Sequence, residues 1–172
     1  MNKDISIYKK ILIIGESGRG KSVLAHKLSE KLSLPFYSTD NFFWKIKFSE
    51  PNDKEESKIK IGKVYATEKW IMEGSSTHLF RPGLDSAEVV INLVFGNIFQ
   101  QWWSLIKRNR TRENESLKDL SKFIVYVTKK RFGIGNNKEK LKAELLKSYS
   151  NKIIVLRSFK EIDSFLNSTH QF

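Results

Sequence analysis

The chain has 172 residues, 40% of them hydrophobic and 29% charged, the size and balance of one globular domain with a buried core. It has no cysteine, which excludes disulfides, a thiol nucleophile and a cysteine-based zinc site, and its three histidines, His26, His78 and His170, are too scattered to suggest a metal site. A formal net charge of +12 favours polyanions such as nucleotide phosphates, nucleic acid or an anionic membrane surface, or else simply reflects solvated lysines.

The polar segment Met1 to Lys10 lacks the apolar stretch of a secretory signal, and no run is long and apolar enough to span a bilayer. A cytoplasmic location is the default expectation, with no membrane partner. Ile11-Leu12-Ile13-Ile14, stopped by Gly15, reads as a buried strand. Leu24, Leu28 and Leu32 recur every fourth residue, so a helix is expected from about Lys21 to Leu32. Pro35-Phe36-Tyr37 begins a second strand ending near Asp40. The polar stretch 49–60 contains Pro51-Asn52-Asp53, which suits the start of an exposed helix.

Trp70-Ile71-Met72 before Glu73-Gly74 is the third strand, and Val89 to Phe95, stopped by Gly96, is the fourth. Ile98, Phe99, Trp102, Leu105, Ile106 and Asn109 follow helical spacing. Residues 117–131 are ambiguous: Leu117, Leu120, Ile124 and Val127 fit a helix, while Ile124-Val125-Tyr126-Val127 is rich in strand formers. Leu141, Leu145 and Tyr149 mark a further helical face, Ile153 to Leu156 a fifth strand, and Phe159, Ile162, Phe165 and Leu166 one face of a last helix. The alternation of strands and helices is that of an α/β layered fold with a parallel sheet. One domain over residues 1–172 is expected, with polar insertions near 45–66 and 107–122.

Residues 15–22, Gly15, Glu16, Ser17, Gly18, Arg19, Gly20, Lys21 and Ser22, match the pattern G-x-x-x-x-G-K-[ST]. Glycines let the backbone turn tightly, so that successive N–H groups face phosphate oxygens. The helix that follows adds unpaired N–H groups and the positive end of its dipole. Lys21 can reach the β- and γ-phosphates, and the Ser22 hydroxyl can ligate magnesium, a hard cation that prefers oxygen. A dinucleotide fingerprint fails on spacing, because its third glycine would fall at Val23.

Carboxyl ends of parallel strands point into the ligand crevice. Asp40, after the second strand, can accept a substrate proton or assist the metal, or else act as a helix cap. Glu73, closing the third strand, can hold metal-bound water, or be a surface loop residue. Phe42, Phe43 and Trp44 can stack on a planar substrate or join the core. His78 and Arg81, in the loop that follows Glu73, are weaker candidates. Lys107-Arg108-Asn109-Arg110-Thr111-Arg112 is a dense basic cluster. It can stabilise a transferring phosphoryl group, neutralise nucleic-acid phosphates, or complement a helix dipole. Lys129-Lys130-Arg131 is a weaker copy of it, suited to a solvated face.

Together these segments resemble the bacterial DNA topology modulation proteins, P-loop proteins related to adenylate and shikimate kinases. The resemblance runs through residues 13–22, Tyr37-Ser38-Thr39-Asp40 with Phe43-Trp44-Lys45, Trp70 to Gly74, Ala87 to Ile91, the arginines 108, 110 and 112, and Lys152 to Ser158. It implies a five-stranded parallel sheet of nucleoside-monophosphate-kinase type, a three-layer P-loop fold, ATP in the loop and a lid around the arginine cluster. Four positions differ from the family's usual residues. Glu73 and Val94 replace aspartates, and Asn97 and Gly83 replace arginines.

The leading expectation is a magnesium-dependent kinase that moves the γ-phosphate of ATP to a small-molecule or nucleotide acceptor. Lys21 holds the phosphates, Ser22 the metal and Asp40 the acceptor; Glu73 orders metal water, and Arg108, Arg110 or Arg112 closes over the moving group. The alternatives are a nucleotide-dependent nucleic-acid-binding regulator with weak or no ATPase activity, and a catalytically inactive nucleotide sensor. Weak nucleic-acid binding through the basic surface is expected under any of these.

Overall fold

The structure is a computed structural model that describes residues 5–46, 50–94, 98, 99, 102, 103, 105, 106, 117–131 and 138–169. Its centre is a five-stranded, all-parallel sheet of strands β1 (Lys10–Gly15), β2 (Phe36–Ser38), β5 (Trp70–Gly74), β6 (Val89–Leu93) and β7 (Ile153–Leu156), in the order β2-β5-β1-β6-β7. β1 and β5 are buried along nearly their whole length. Their continuous apolar runs suit a strand covered by helices on both faces.

One face carries helix α1 (Lys21–Leu32) and the last helix, Phe159–Ser168. Ile11, Ile13, Leu24, Leu28, Ile71, Ile91, Ile162 and Leu166 form its core. The other face packs Leu12, Ile14, Met72 and Val90 against α3 (Lys54–Tyr65), α4 (Thr77–Ser86) and the helix Lys138–Lys147, through Ile61, Leu79, Phe80, Leu84 and Leu146. Alternate residues of each strand serve opposite faces, the period-2 rule of a pleated sheet.

Several expectations change in detail. β2 stops at Ser38, and Asp40 lies in a short helix, α2 (Thr39–Phe43), for which the Ser38 side chain is the N-cap. The region 45–66 is not simply an insertion. It opens with an antiparallel pair, β3 (Trp44–Ile46) and β4 (Glu50–Pro51), and continues into α3. Asp53 caps α3 by accepting from the N–H groups of Glu55 and Glu56, and the helix buries Ser57, Ile61 and Tyr65 rather than lying wholly exposed. The capping bonds favour the ionised carboxylate and hold the Asp53 pKa below its ordinary 3.8.

The strand-rich run 124–127 lies inside a 15-residue helix, Leu117–Arg131, with Val127 buried. The described positions within 98–106 are helical, Leu105 is buried, and Trp102 Nε1 donates to Thr128 Oγ1 at 3.1 Å. Phe95, Gly96, Asn97, Asn109 and the cluster 107–112 lie outside the described residues. The fourth strand ends at Leu93, and Val94 lies beyond it.

The helix before β7 is turned by one position from expectation. Leu141 is 62% exposed, whereas Lys142 and Leu146 are buried, and the helix ends at Lys147, before Tyr149. Tyr149 instead donates to Asp85 Oδ1, which raises its phenol pKa.

Two close approaches explain glycines. A Cβ on Gly74 would lie 2.5 Å from Thr39 Oγ1, so α2 can sit on β5 only where the side chain is a hydrogen. A Cβ on Gly83 would lie 2.5 Å from Cε1 of the Tyr65 ring. Position 83 has no room for the arginine that the resemblance associates with it.

Candidate functional site

β1 delivers its last residue to a loop that turns on Gly15, Gly18 and Gly20, with φ of 151°, 80° and 80°. Gly18 and Gly20 thus hold left-handed conformations that glycine adopts without steric cost. Gly15 is constrained twice, because a Cβ there would lie 2.8 Å from the carbonyl oxygen of Leu93 on β6. Gly20 is also the N-cap of α1 and supplies no capping side chain. The first-turn N–H groups of α1 therefore face the loop as an anion-binding end.

Lys21 is buried, and its Nζ donates to the Glu16 carbonyl at 3.0 Å. Burial lowers its pKa below 10.5; Glu73 first and then Asp40 oppose the shift, while Lys142 and Arg19 add to it. Nζ lies 4.0 Å from Glu73 Oε2, with both side chains more than nine-tenths buried. Ser22 Oγ donates to Glu73 Oε1 at 3.1 Å. The sheet register produces this meeting: Glu73 on β5 pairs with Ile13 on β1 and with Ser38 on β2. Lys21, Ser22 and Glu73, predicted separately, thus converge on one point at the carboxyl end of the sheet. Glu73 is buried and bonded, not a surface loop residue.

Asp40 is exposed on α2, and its backbone N–H donates at 3.3 Å to Ser38 Oγ, the hydroxyl that itself bonds Glu73. His78 and Arg81 are not in a loop. Both lie in α4, where Ser76 Oγ and His78 Nδ1 are 2.9 Å apart and Arg81 is exposed. Phe42 and Phe43 pack, half-buried, against the core, and Trp44 makes an edge contact with Phe43 at 4.8 Å.

Glu16 and Arg19 occupy loop positions, but their side chains turn inward. Arg19 Nη2 pairs with the Glu16 carboxylate, and Arg19 Nη1 donates to the Leu93 carbonyl at 3.3 Å. Their side chains brace the loop against β6.

Sequence reasoning missed two groups. Lys142 is 8% exposed, stands 5.6 Å over the Phe80 ring and adds positive charge around Lys21. The available signal was its helical spacing with Leu146, which places it on the buried face. Phe159, grouped by sequence on one helical face with Ile162, Phe165 and Leu166, is 41% exposed and lies against Gly20 of the loop. A cavity of about 490 Å³ opens between β6, β7 and the helix Lys138–Lys147, lined by Glu16, Arg19, Asn92, Val94, Lys142 and Leu146 among others.

Magnesium fits the donors present. Ser22 and Glu73 offer hard oxygens side by side. Among the described residues no group of three or more histidine, cysteine, aspartate or glutamate side chains forms a metal cage.

Sheet order, loop and helix cover define the P-loop kinase fold. Solved structures carry the same likeness. Shikimate kinase from Acinetobacter baumannii, in complex with shikimate, superposes with a TM-score of 0.56 at 12% identity, over 97% of this chain and 94% of that one. A gluconokinase from Sinorhizobium meliloti 1021 gives 0.52 at 12% identity, over 92% and 91%. Shikimate kinase from Aquifex aeolicus gives 0.50 at 14%, over 91% and 90%. Among curated proteins, YqaC of Bacillus subtilis (strain 168) is 37% identical over 68 residues, a match taking in 39% of this chain and 38% of that relative's length. No family model matches the sequence. Among the described residues no helix is long and apolar enough to cross a membrane.

Proposed function

We propose that the chain is a magnesium-dependent, ATP-using kinase that phosphorylates a small acceptor bearing a hydroxyl or phosphate. The observation that carries this reading is the convergence of Lys21 and Ser22, from the loop, on the Glu73 carboxylate at the neighbouring strand end. A buried acid beside the loop suits a metal-bound triphosphate, and phosphoryl transfer is catalysed by positioning and charge stabilisation around such a complex.

In this reading the loop backbone and Lys21 bind the phosphates, with Arg19 and Glu16 holding the loop in shape. Ser22 would ligate magnesium, and Glu73 would hold the Ser22 hydroxyl or a metal water. Magnesium supplies neutralisation of the charge on the β- and γ-phosphoryl oxygens. Asp40, exposed at the crevice and on the side of β2, accepts the proton of the acceptor hydroxyl. Arginines 108, 110 and 112 are assigned from the sequence to the transferring phosphoryl group. The neighbouring kinases of shikimate and gluconate act on small polyhydroxylated acids, so hydroxy acids belong in the first acceptor panel. The nucleic-acid reading rests on the net charge, on the basic cluster 107–112 and on the family resemblance.

The test is a phosphotransfer screen with Mg·ATP across nucleosides, nucleotides and small hydroxy acids, run on the wild type and Lys21→Ala. Acceptor-dependent ADP release that Lys21→Ala abolishes is the expected result. Calorimetric ATP affinity that is the same in the two proteins would remove the phosphate-site assignment.

A further inference from the structure

Ser38 belongs to no phosphate-binding motif, yet its hydroxyl occupies the middle of the site. It ends β2 in register with Glu73 on β5, and its Oγ donates to Glu73 Oε1 at 2.6 Å. Ser22 Oγ donates to the same oxygen at 3.1 Å, while Lys21 stands nearest the other, Oε2, at 4.0 Å. A carboxylate oxygen that receives two hydroxyl hydrogens has both lone-pair directions engaged. Each hydroxyl has given up its only hydrogen and presents only lone pairs elsewhere. Ser38 uses one of these to accept the backbone N–H of Asp40 at 3.3 Å, as the N-cap of α2.

One atom, Ser38 Oγ, therefore joins three parts: the buried acid on β5, the strand end of β2 and the first turn of the helix that bears Asp40. The Glu73 side chain is longer than the aspartate of the resembled family and has more rotamers to lose, so it gains most from a second donor that fixes it.

We propose that Ser38 is a positioning residue for the metal and for Asp40. It fixes the Glu73 carboxylate, and through that carboxylate the two hydroxyls hold each other in place, with the Ser22 lone pairs left for magnesium or its bound water. The proposal rests on the Mg·ATP reading given above. It assigns Glu73 chiefly to holding these hydroxyls from behind, rather than to direct coordination through Oε1. Partners that orient a metal's own ligands are worth about 10- to 100-fold in metal affinity when removed.

The test uses the full chain with ATP and manganese in place of magnesium. Manganese affinity is read from its paramagnetic resonance signal, and metal-free ATP affinity from calorimetry. The proteins are wild type, Ser38→Ala, Ser38→Cys, Ser38→Thr, Glu73→Gln and the double variant Ser38→Ala/Glu73→Gln. Ser38→Cys keeps the size of the side chain and replaces the hydroxyl by a weak donor, and so covers the case in which Ser38→Ala does not fold.

The expected result is that Ser38→Ala and Ser38→Cys weaken manganese binding to the ATP complex by about 10- to 100-fold, leaving metal-free ATP affinity unchanged. Ser38→Thr, which retains the hydroxyl, restores manganese affinity, and the double variant is no weaker than Glu73→Gln alone because both act through one bond. Wild-type manganese affinity in Ser38→Ala and Ser38→Cys overturns the proposal and leaves Ser38 as a helix cap. Multiplicative losses in the double variant also overturn it. A wild-type protein that binds no ATP overturns the kinase reading itself, an outcome visible before any Ser38 variant is compared.

Discussion

Glu73→Gln keeps the size of the side chain and removes one charge, and on the proposed Mg·ATP reading that charge has two opposite effects on nucleotide binding. In the absence of metal, the carboxylate faces the place where phosphates arrive, and it neutralises Lys21 from 4.0 Å. Two unit charges at that separation interact by about 4 kcal/mol at an effective dielectric near 20. Both groups are more than nine-tenths buried, so solvent screens little of this. Removing the carboxylate frees Lys21 for the phosphates and ends a repulsion, so metal-free ATP should bind at least as tightly as in the wild type. The ceiling on the gain is about a thousandfold, the equivalent of that Coulomb energy.

With magnesium the sign reverses. Ser22 and Ser38 lose the anion that aims them, and the tightening that magnesium brings should shrink by about 10- to 100-fold. The assay is isothermal calorimetry of ATP with magnesium and with a chelator, on both proteins. The informative quantity is the ratio of the two dissociation constants. Equal weakening of ATP with and without magnesium would refute the reasoning, since a carboxylate that served only as a strut between strands would produce that result.

Three further outcomes follow from the same geometry. Burial holds the Lys21 pKa below 10.5, so the free protein carries fewer protons there than the unfolded chain; bound phosphate raises the pKa again. ATP binding should therefore take up protons in the alkaline range between the depressed value and 10.5, seen as a dependence of calorimetric enthalpy on buffer ionisation heat, and stability of the free protein should rise with pH across that window. Asp40→Asn should cut transfer to the acceptor by about 10²- to 10⁴-fold, the usual worth of a general base, while leaving ATP affinity unchanged, as measured by single-turnover transfer beside calorimetry. Gly83→Ala places a Cβ 2.5 Å from the Tyr65 ring, so the roughly 1 kcal/mol that alanine gains over glycine inside a helix should be outweighed by overpacking of about 1–3 kcal/mol, read as a lower urea midpoint.

The parts of this molecule legible in the sequence are those where local chemistry and global fold agree. The loop at 15–22 declares itself because its glycines, lysine and serine fall in one motif, and β1 because it is buried on both faces. α4 was hidden by Pro82 and Gly83, both helix breakers, and is held instead by the burial of Leu79, Phe80 and Leu84. The Ile124 to Val127 run has strand propensity, but tertiary context fits it to a helix with Val127 inward. Lys142 is not singled out in the sequence, because a lysine on a helix usually faces solvent.

Within the site, Lys21, Ser22 and Glu73 could be nominated one by one from their positions at strand ends. Their mutual bonds could not, since those depend on the register that sets Ser38 and Ile13 on either side of Glu73. Ser38 escaped notice because its role comes from a strand 35 residues away in sequence.

On the proposed function, the inward turn of Arg19 bears on the kinetics of nucleotide capture. By tying the loop to the Leu93 carbonyl and to Glu16, it makes the curve of the backbone a property of the free protein. The conformational entropy of a nested loop is then lost when the chain folds, not when the triphosphate arrives. A pocket ordered beforehand needs no rearrangement after encounter, so association with the phosphate chain is governed by diffusion and electrostatic attraction, and differences in affinity among nucleotides fall mainly on how fast each one leaves.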